Sequence, residues 1–104
     1  MAAEITPTSV SSMDSPCNHT AGTVNRRYKT LLIEGPKAAQ SDWFSLGDYL
    51  STAELDNIHS LYATTDDATN TILDTIIYTN ASGKTALGTT DTGTSRLTVV
   101  YYEA

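Results

Sequence analysis

A chain of 104 residues with a net charge of −6 has room for one hydrophobic core and excludes a multidomain design. Its 18 Thr and 10 Ser, against one Phe and one Trp, exclude an all-helical fold, because Thr and Ser suit pleated surface better than helix interiors. The charge is uneven, and an acidic body repels nucleic acid and anionic lipid, so no nucleic-acid or membrane partner is expected. Residues 1–40 hold three acids and four bases, whereas residues 41–104 hold nine acids and two bases.

Residues 1–23 read as an extended arm. They are small and polar, broken by Pro7, Pro16 and Gly22, with only Ile5, Val10 and Met13 as scattered apolar points. Such a segment cannot order itself and must lie against its own domain or a neighbouring molecule. It has no basic n-region and no apolar h-region, so no signal peptide is expected. Cys17 stands alone and has no internal partner for a disulfide. No apolar run approaches the roughly 20 residues that span a bilayer. The sequons at Asn18 and Asn80 read as chance in a Thr/Ser-rich chain.

A single β domain is expected over 24–104. Val24–Glu34 is its first strand, closed by Gly35-Pro36. Arg26-Arg27-Tyr28-Lys29 within it reads as a solvated edge, with an acidic partner surface as the other possibility. Lys37–Asp42 reads as a loop, and Asp42–Leu46 as a short strand or turn sending at least one large aromatic into the core. Ser51 and Glu54 have capping-box spacing, with Leu50 and Leu55 at the staple positions, so a short helical turn is expected at 52–56. A strand follows at 57–65, a turn at 66–68 and one strand over Thr71–Thr79. Asn80–Gly83 reads as a hairpin loop, with Gly83 needing positive φ. Lys84–Leu87 is a return strand, Gly88–Thr94 a polar loop and Ser95–Glu103 the last strand.

That last strand organises the fold. Leu97, Val99 and Tyr101 point one way, and Thr98, Val100 and Tyr102 the other. A strand with so little polar character wants cover on both faces, and Leu31-Leu32-Ile33 has the same character, so the two are candidate neighbours. The architecture expected is all-β: a small sandwich or barrel of five to seven short, mostly antiparallel strands.

Candidate chemistry is sparse. Gly83-Lys84-Thr85 resembles the end of a phosphate loop, but Tyr78 stands where that motif needs glycine. Asp14, Cys17 and His19 fall short of a structural zinc set. Neither His19 nor His59 belongs to a nucleophile motif, and no Gly-x-Ser-x-Gly elbow occurs. Asp66-Asp67 lacks the alternating oxygen ligands of a calcium loop. No enzyme activity, metal or cofactor is expected.

The run Phe44–Leu50, the strands at 58–65 and 71–79, the Asn80–Lys84 turn and the closing Arg96–Tyr102 together resemble the head decoration, or cement, proteins of tailed bacteriophages. The likeness covers residues 24–103 and is one of pattern, without a diagnostic motif. It implies a virion component made in the host cytoplasm and bound to the outer capsid surface. Its partner would be the major capsid protein or another shell protein, its own state a trimer or dimer, and its grip an N-terminal arm. The partner-binding residues expected from the arm and first strand are Ile5, Val10, Met13, Arg26, Arg27, Tyr28 and Lys29. The alternative is an exported or virion-surface adhesion module that binds a glycan or peptide through Trp43 or the Gly88–Thr94 loop.

Overall fold

A computed structural model of the chain describes residues 2–21 and 24–102, with the side chains of 14–26 outside the description. Among the described residues there are eight strands in two antiparallel sheets. The chain runs through β1 (Ser9–Ala21), β2 (Val24–Lys37) and β3 (Trp43–Ser45), then a 3₁₀ turn (Leu46–Asp48) and α1 (Thr52–Leu55). It continues through β4 (Ile58–Asp66), β5 (Thr71–Leu73), β6 (Ile76–Thr79), β7 (Lys84–Leu87) and β8 (Gly93–Tyr102). The larger sheet has the order β1-β2-β8-β4-β5 and the smaller one β3-β7-β6.

The two doubly apolar strands are neighbours, with Leu31 opposite Val99 and Ile33 opposite Leu97. One face of this pair forms the core. Leu31, Ile33, Leu97, Val99, Tyr101 and Ala63 of the larger sheet share a single buried cluster with Phe44 and Leu87 of the smaller one. The connections contribute Leu46, Leu50 and Leu55. The capping box is formed in full: the Glu54 amide donates to Ser51 Oγ, and the Ser51 amide donates to Glu54 Oε1. Gly83 closes the β6–β7 hairpin at φ 71°, a conformation that side chains resist.

The structure moves several boundaries, and β2 runs on through Gly35-Pro36 to Lys37. The described residues of the expected arm do not stand apart from the domain. Ser9–Ala21 is a strand paired along β2, from Ser9 opposite Glu34 to Ala21 opposite Val24. Ahead of it the chain crosses to the smaller sheet. The Ile5 amide donates to the Trp43 carbonyl, the Trp43 amide to the Ala3 carbonyl, and the Ala3 amide to Asp42 Oδ1. Ile5 is 3% exposed and belongs to the core cluster. Gly35 makes the crossing possible, since a Cβ there would stand 2.7 Å from Ile5 Cγ2 and 3.1 Å from the Thr6 carbonyl oxygen. One well-placed isoleucine and a run of backbone hydrogen bonds tie down a segment too polar to order itself.

The single strand expected over Thr71–Thr79 is two strands in different sheets. β5 pairs with β4, and β6 pairs with β7. The break falls at Asp74, whose side chain is pulled inside the protein by Lys37.

Candidate interaction surface

The side-chain alternation that fills the core also builds an outer face on the larger sheet. Its rows follow from the register. Ser11, Leu32, Thr98 and Tyr62 lie across β1, β2, β8 and β4 in one row, and Met13, Thr30, Val100 and Ser60 in the next. The smaller sheet covers the opposite face, and no described element covers this one. Met13 is 56% exposed, Tyr62 56% and Leu73 62%, while Leu32 and Val100 are half-buried by their neighbours alone. The cover expected on both sides of the central strands is therefore present on one side only.

Two depressions mark this face. One, of about 200 Å³, lies over Leu32 and Thr98 between Ser11 and the Glu34–Arg96 pair. The other, of about 340 Å³, is lined by Tyr28, Thr30, His59, Ser60 and Val100. A β-bulge between Ile58 and Ser60 leaves an extra residue in β4, and the His59 ring stands edge-on to Tyr28 at 5.3 Å and to Tyr102 at 5.9 Å. Tyr28 and Tyr102 lie 4.8 Å apart, their hydroxyls 3.3 Å from each other. His59 is an exposed member of an aromatic group, with the Tyr28 and Tyr102 rings beside it.

At the other end of the face Arg96 forms ion pairs with Glu34, at 3.1 Å, and with Asp66. The Arg96 and Thr71 side-chain bonds hold the Asp66 carboxyl below its ordinary range. All three charged groups remain substantially exposed.

On the inner side of the same strands lies a second polar group that the sequence did not signal. Lys37 Nζ is fully buried and donates to Asp74 Oδ2 at 2.8 Å, to the Thr89 carbonyl at 2.7 Å and to Thr89 Oγ1 at 3.0 Å. These three bonds exhaust its protons. Asp74 Oδ2 also accepts from Thr65 Oγ1, and Oδ1 accepts from the amides of Thr75 and Thr89. Since Thr65 spends its one proton on Asp74, Ser95 Oγ must donate to Thr65, 2.6 Å away. Burial pushes the Asp74 carboxyl up, but the bonds from Lys37, Thr89 and Thr65 outweigh it and hold the group below its ordinary value. No buried side-chain nitrogen or oxygen among the described residues lacks a partner, which suits a structural tie between the sheets.

The sequence-expected site residues are scattered. Ile5 is in the core and cannot touch a partner. Val10, 40% exposed, and Met13 lie on β1, opposite Ile33 and Thr30. Arg27 is exposed opposite Asn18, and Lys29 is half-buried opposite Tyr101. Tyr28 belongs to the aromatic group. Arg26 stands opposite His19 in register, and its side chain lies outside the described residues, as do those of Asp14, Cys17 and His19. The outer face was the feature missed, although the apolar second faces of the first and last strands were its signal. Trp43 is half-buried with Lys84 Nζ 4.2 Å above its ring, and Thr89 of the polar loop is bonded to Lys37. Among the described residues no three His, Cys, Asp or Glu side chains gather as a metal site, and no helix is long and apolar enough to cross a membrane.

No protein-family model matches the chain, and searches of curated proteins and of solved structures find no match either. The family resemblance rests on sequence pattern alone.

Proposed function

We propose that the chain is a non-enzymatic structural module that docks on a repeating protein surface, as a decoration protein on the outer shell of a viral head. The observation that supports this reading is the open face of the larger sheet. Apolar side chains from four adjacent strands lie uncovered there, between an aromatic group and an ion-pair cluster. An uncovered sheet face that mixes apolar side chains with Ser and Thr on a small acidic domain fits an interaction surface, and such a mixture flanked by charged groups suits a protein partner. An unanchored arm cannot supply the grip, because Ile5 and the described part of β1 are held by the domain itself. The grip passes from the arm to the sheet. Repetition of weak contacts over a lattice supplies avidity that one face of this size lacks.

The test is co-sedimentation of the full chain with assembled tailed-phage heads. Tyr62→Lys and Val100→Glu place charge in the middle of the face, where neither side chain contributes to the core. Loss of particle binding with an unchanged melting temperature is the expected result. Binding that survives both substitutions would remove the face from the reading, and failure of the parent chain to bind any head would remove the shell.

A further inference from the structure

We infer that strand β1 is a self-pairing edge, and that two copies of this chain join β1 to β1 antiparallel across a two-fold axis within Ser9–Met13. The larger sheet has two edges of different character. The β5 edge is three residues long and follows the acidic Asp66-Asp67 turn, the short and charged form that discourages strand addition. The β1 edge runs for 13 residues, with Asp14, Pro16 and a register shift between Asp14 and Asn18 confined to the part beyond its first five. Its described side chains, Ser9 to Met13, are all exposed, and none is Lys, Arg, Asp, Glu or Pro. One side of β1 pairs with β2, and its other side has no strand neighbour among the described residues. None of the usual guards against edge pairing is present over these five residues.

Charge selects a second copy as the occupant. Two of these acidic molecules repel each other over most of their surface. The β1–β2 edge belongs to residues 1–40, which hold three acids and three bases once the buried Lys37 is set aside, against eight acids and two bases in the rest once its partner Asp74 is set aside. Copies therefore meet with least repulsion there. A two-fold arrangement is self-complementary by construction, and main-chain pairing needs no further side-chain code. Ser9, Ser11 and Ser12 are small enough to admit a facing backbone, and no like charges come opposite within the segment. Pairing would also place the outer faces of both copies on one continuous ten-stranded sheet. This inference stands on the edge and not on what covers the open face.

The experiment is light scattering of the full chain over a concentration series, beside Ser11→Lys, Ser12→Lys and Tyr62→Lys. A lysine at either serine sets like charges near each other across the axis. The expected result is a dimer for the parent and for Tyr62→Lys. The two serine variants should dissociate at least about tenfold more readily, while melting at the parent temperature at concentrations low enough that all are monomeric. Ser11→Cys combined with Cys17→Ser should oxidise to a covalent dimer. A monomeric parent, a trimer, or a dimer lost with Tyr62→Lys but kept with both serine variants would each overturn the inference. Head binding by a monomeric parent would overturn the inference while leaving the docking reading intact.

Discussion

The inner and outer faces of the larger sheet are made by consecutive residues and behave as different materials. Ser95 and Thr65 turn inward to the Lys37–Asp74 pair, while their neighbours Arg96 and Asp66 turn outward to an ion pair of their own. Both are hydrogen-bonded pairs of a base and a carboxylate. Inside, desolvation offsets much of the attraction, so the pair contributes little net stability while intact and costs a great deal when half of it is removed. Outside, water and salt screen the charges, so either partner can be lost or redirected at small cost. A fold that must hold its shape can use the first kind, and a surface that must meet another molecule can use the second.

The largest effect should come from breaking the inner pair on one side. Lys37→Met leaves Asp74 buried without its cation and should destabilise the fold by about 3–5 kcal/mol in urea unfolding. Lys37→Met with Asp74→Leu should recover most of that loss, since an apolar pair removes both charges together. A double variant no more stable than the single one would mean that the Thr65, Thr75 and Thr89 bonds, rather than the cation, hold the site. The same group sets the acid limit. Asp74 and Asp42 are both held below the ordinary 3.8, Asp42 because three backbone amides from Ala3, Ala38 and Ala39 outweigh its burial. A depressed carboxyl contributes stability that is present above its unfolded pKa and is lost as pH falls through the folded value. Melting temperature should therefore hold level from neutral pH to about 5 and drop below about 4. Asp74→Leu in the double variant should make that drop shallower.

The N-terminal crossing comes next. Ile5→Ala removes a core side chain that is 3% exposed and should cost about 2–5 kcal/mol, depending on how far Gly35 and its neighbours close over the gap. Deletion of residues 1–7 should cost at least as much, with the hydrogen bonds to Trp43 and Asp42 lost as well. A truncation that melts with the parent would restore the view of this segment as an independent arm.

Where the sequence was legible, a local signal coincided with a local cause. Ser51 and Glu54 form their capping box because that motif needs four residues and nothing else. Gly83 turns where its missing Cβ allows, and the doubly apolar β2 and β8 are neighbours because no edge position would hide them. What was illegible depended on distant partners. Nothing around Lys37 shows that Asp74, 37 positions away, will accept its charge, so a buried cation reads as the start of a loop and a strand break reads as continuous strand. Residues 1–8 look too polar to fold because their anchoring depends on one isoleucine and on backbone groups that composition does not register. The open face lay between these cases: its apolar residues were visible, but whether another layer covers them is a property of the whole topology.

Smaller effects sharpen the contrast. Ser51→Ala should cost about 1 kcal/mol through loss of the helix cap. The smallest effect is expected from Arg96, and it is the most informative about the two faces. Arg96→Ala removes the partner of both Glu34 and Asp66, groups that water already solvates, and should change stability by less than about 1 kcal/mol. Whatever change appears should shrink further as salt is raised, because exposed pairs are screened within about 10 Å at 0.1 M. Lys37→Met measured over the same salt series should keep its full penalty, since no ion reaches the buried Asp74. If the Arg96 variant instead loses several kcal/mol irrespective of salt, the outer cluster is covered in solution. The layer missing from this face would then be supplied by a second molecule.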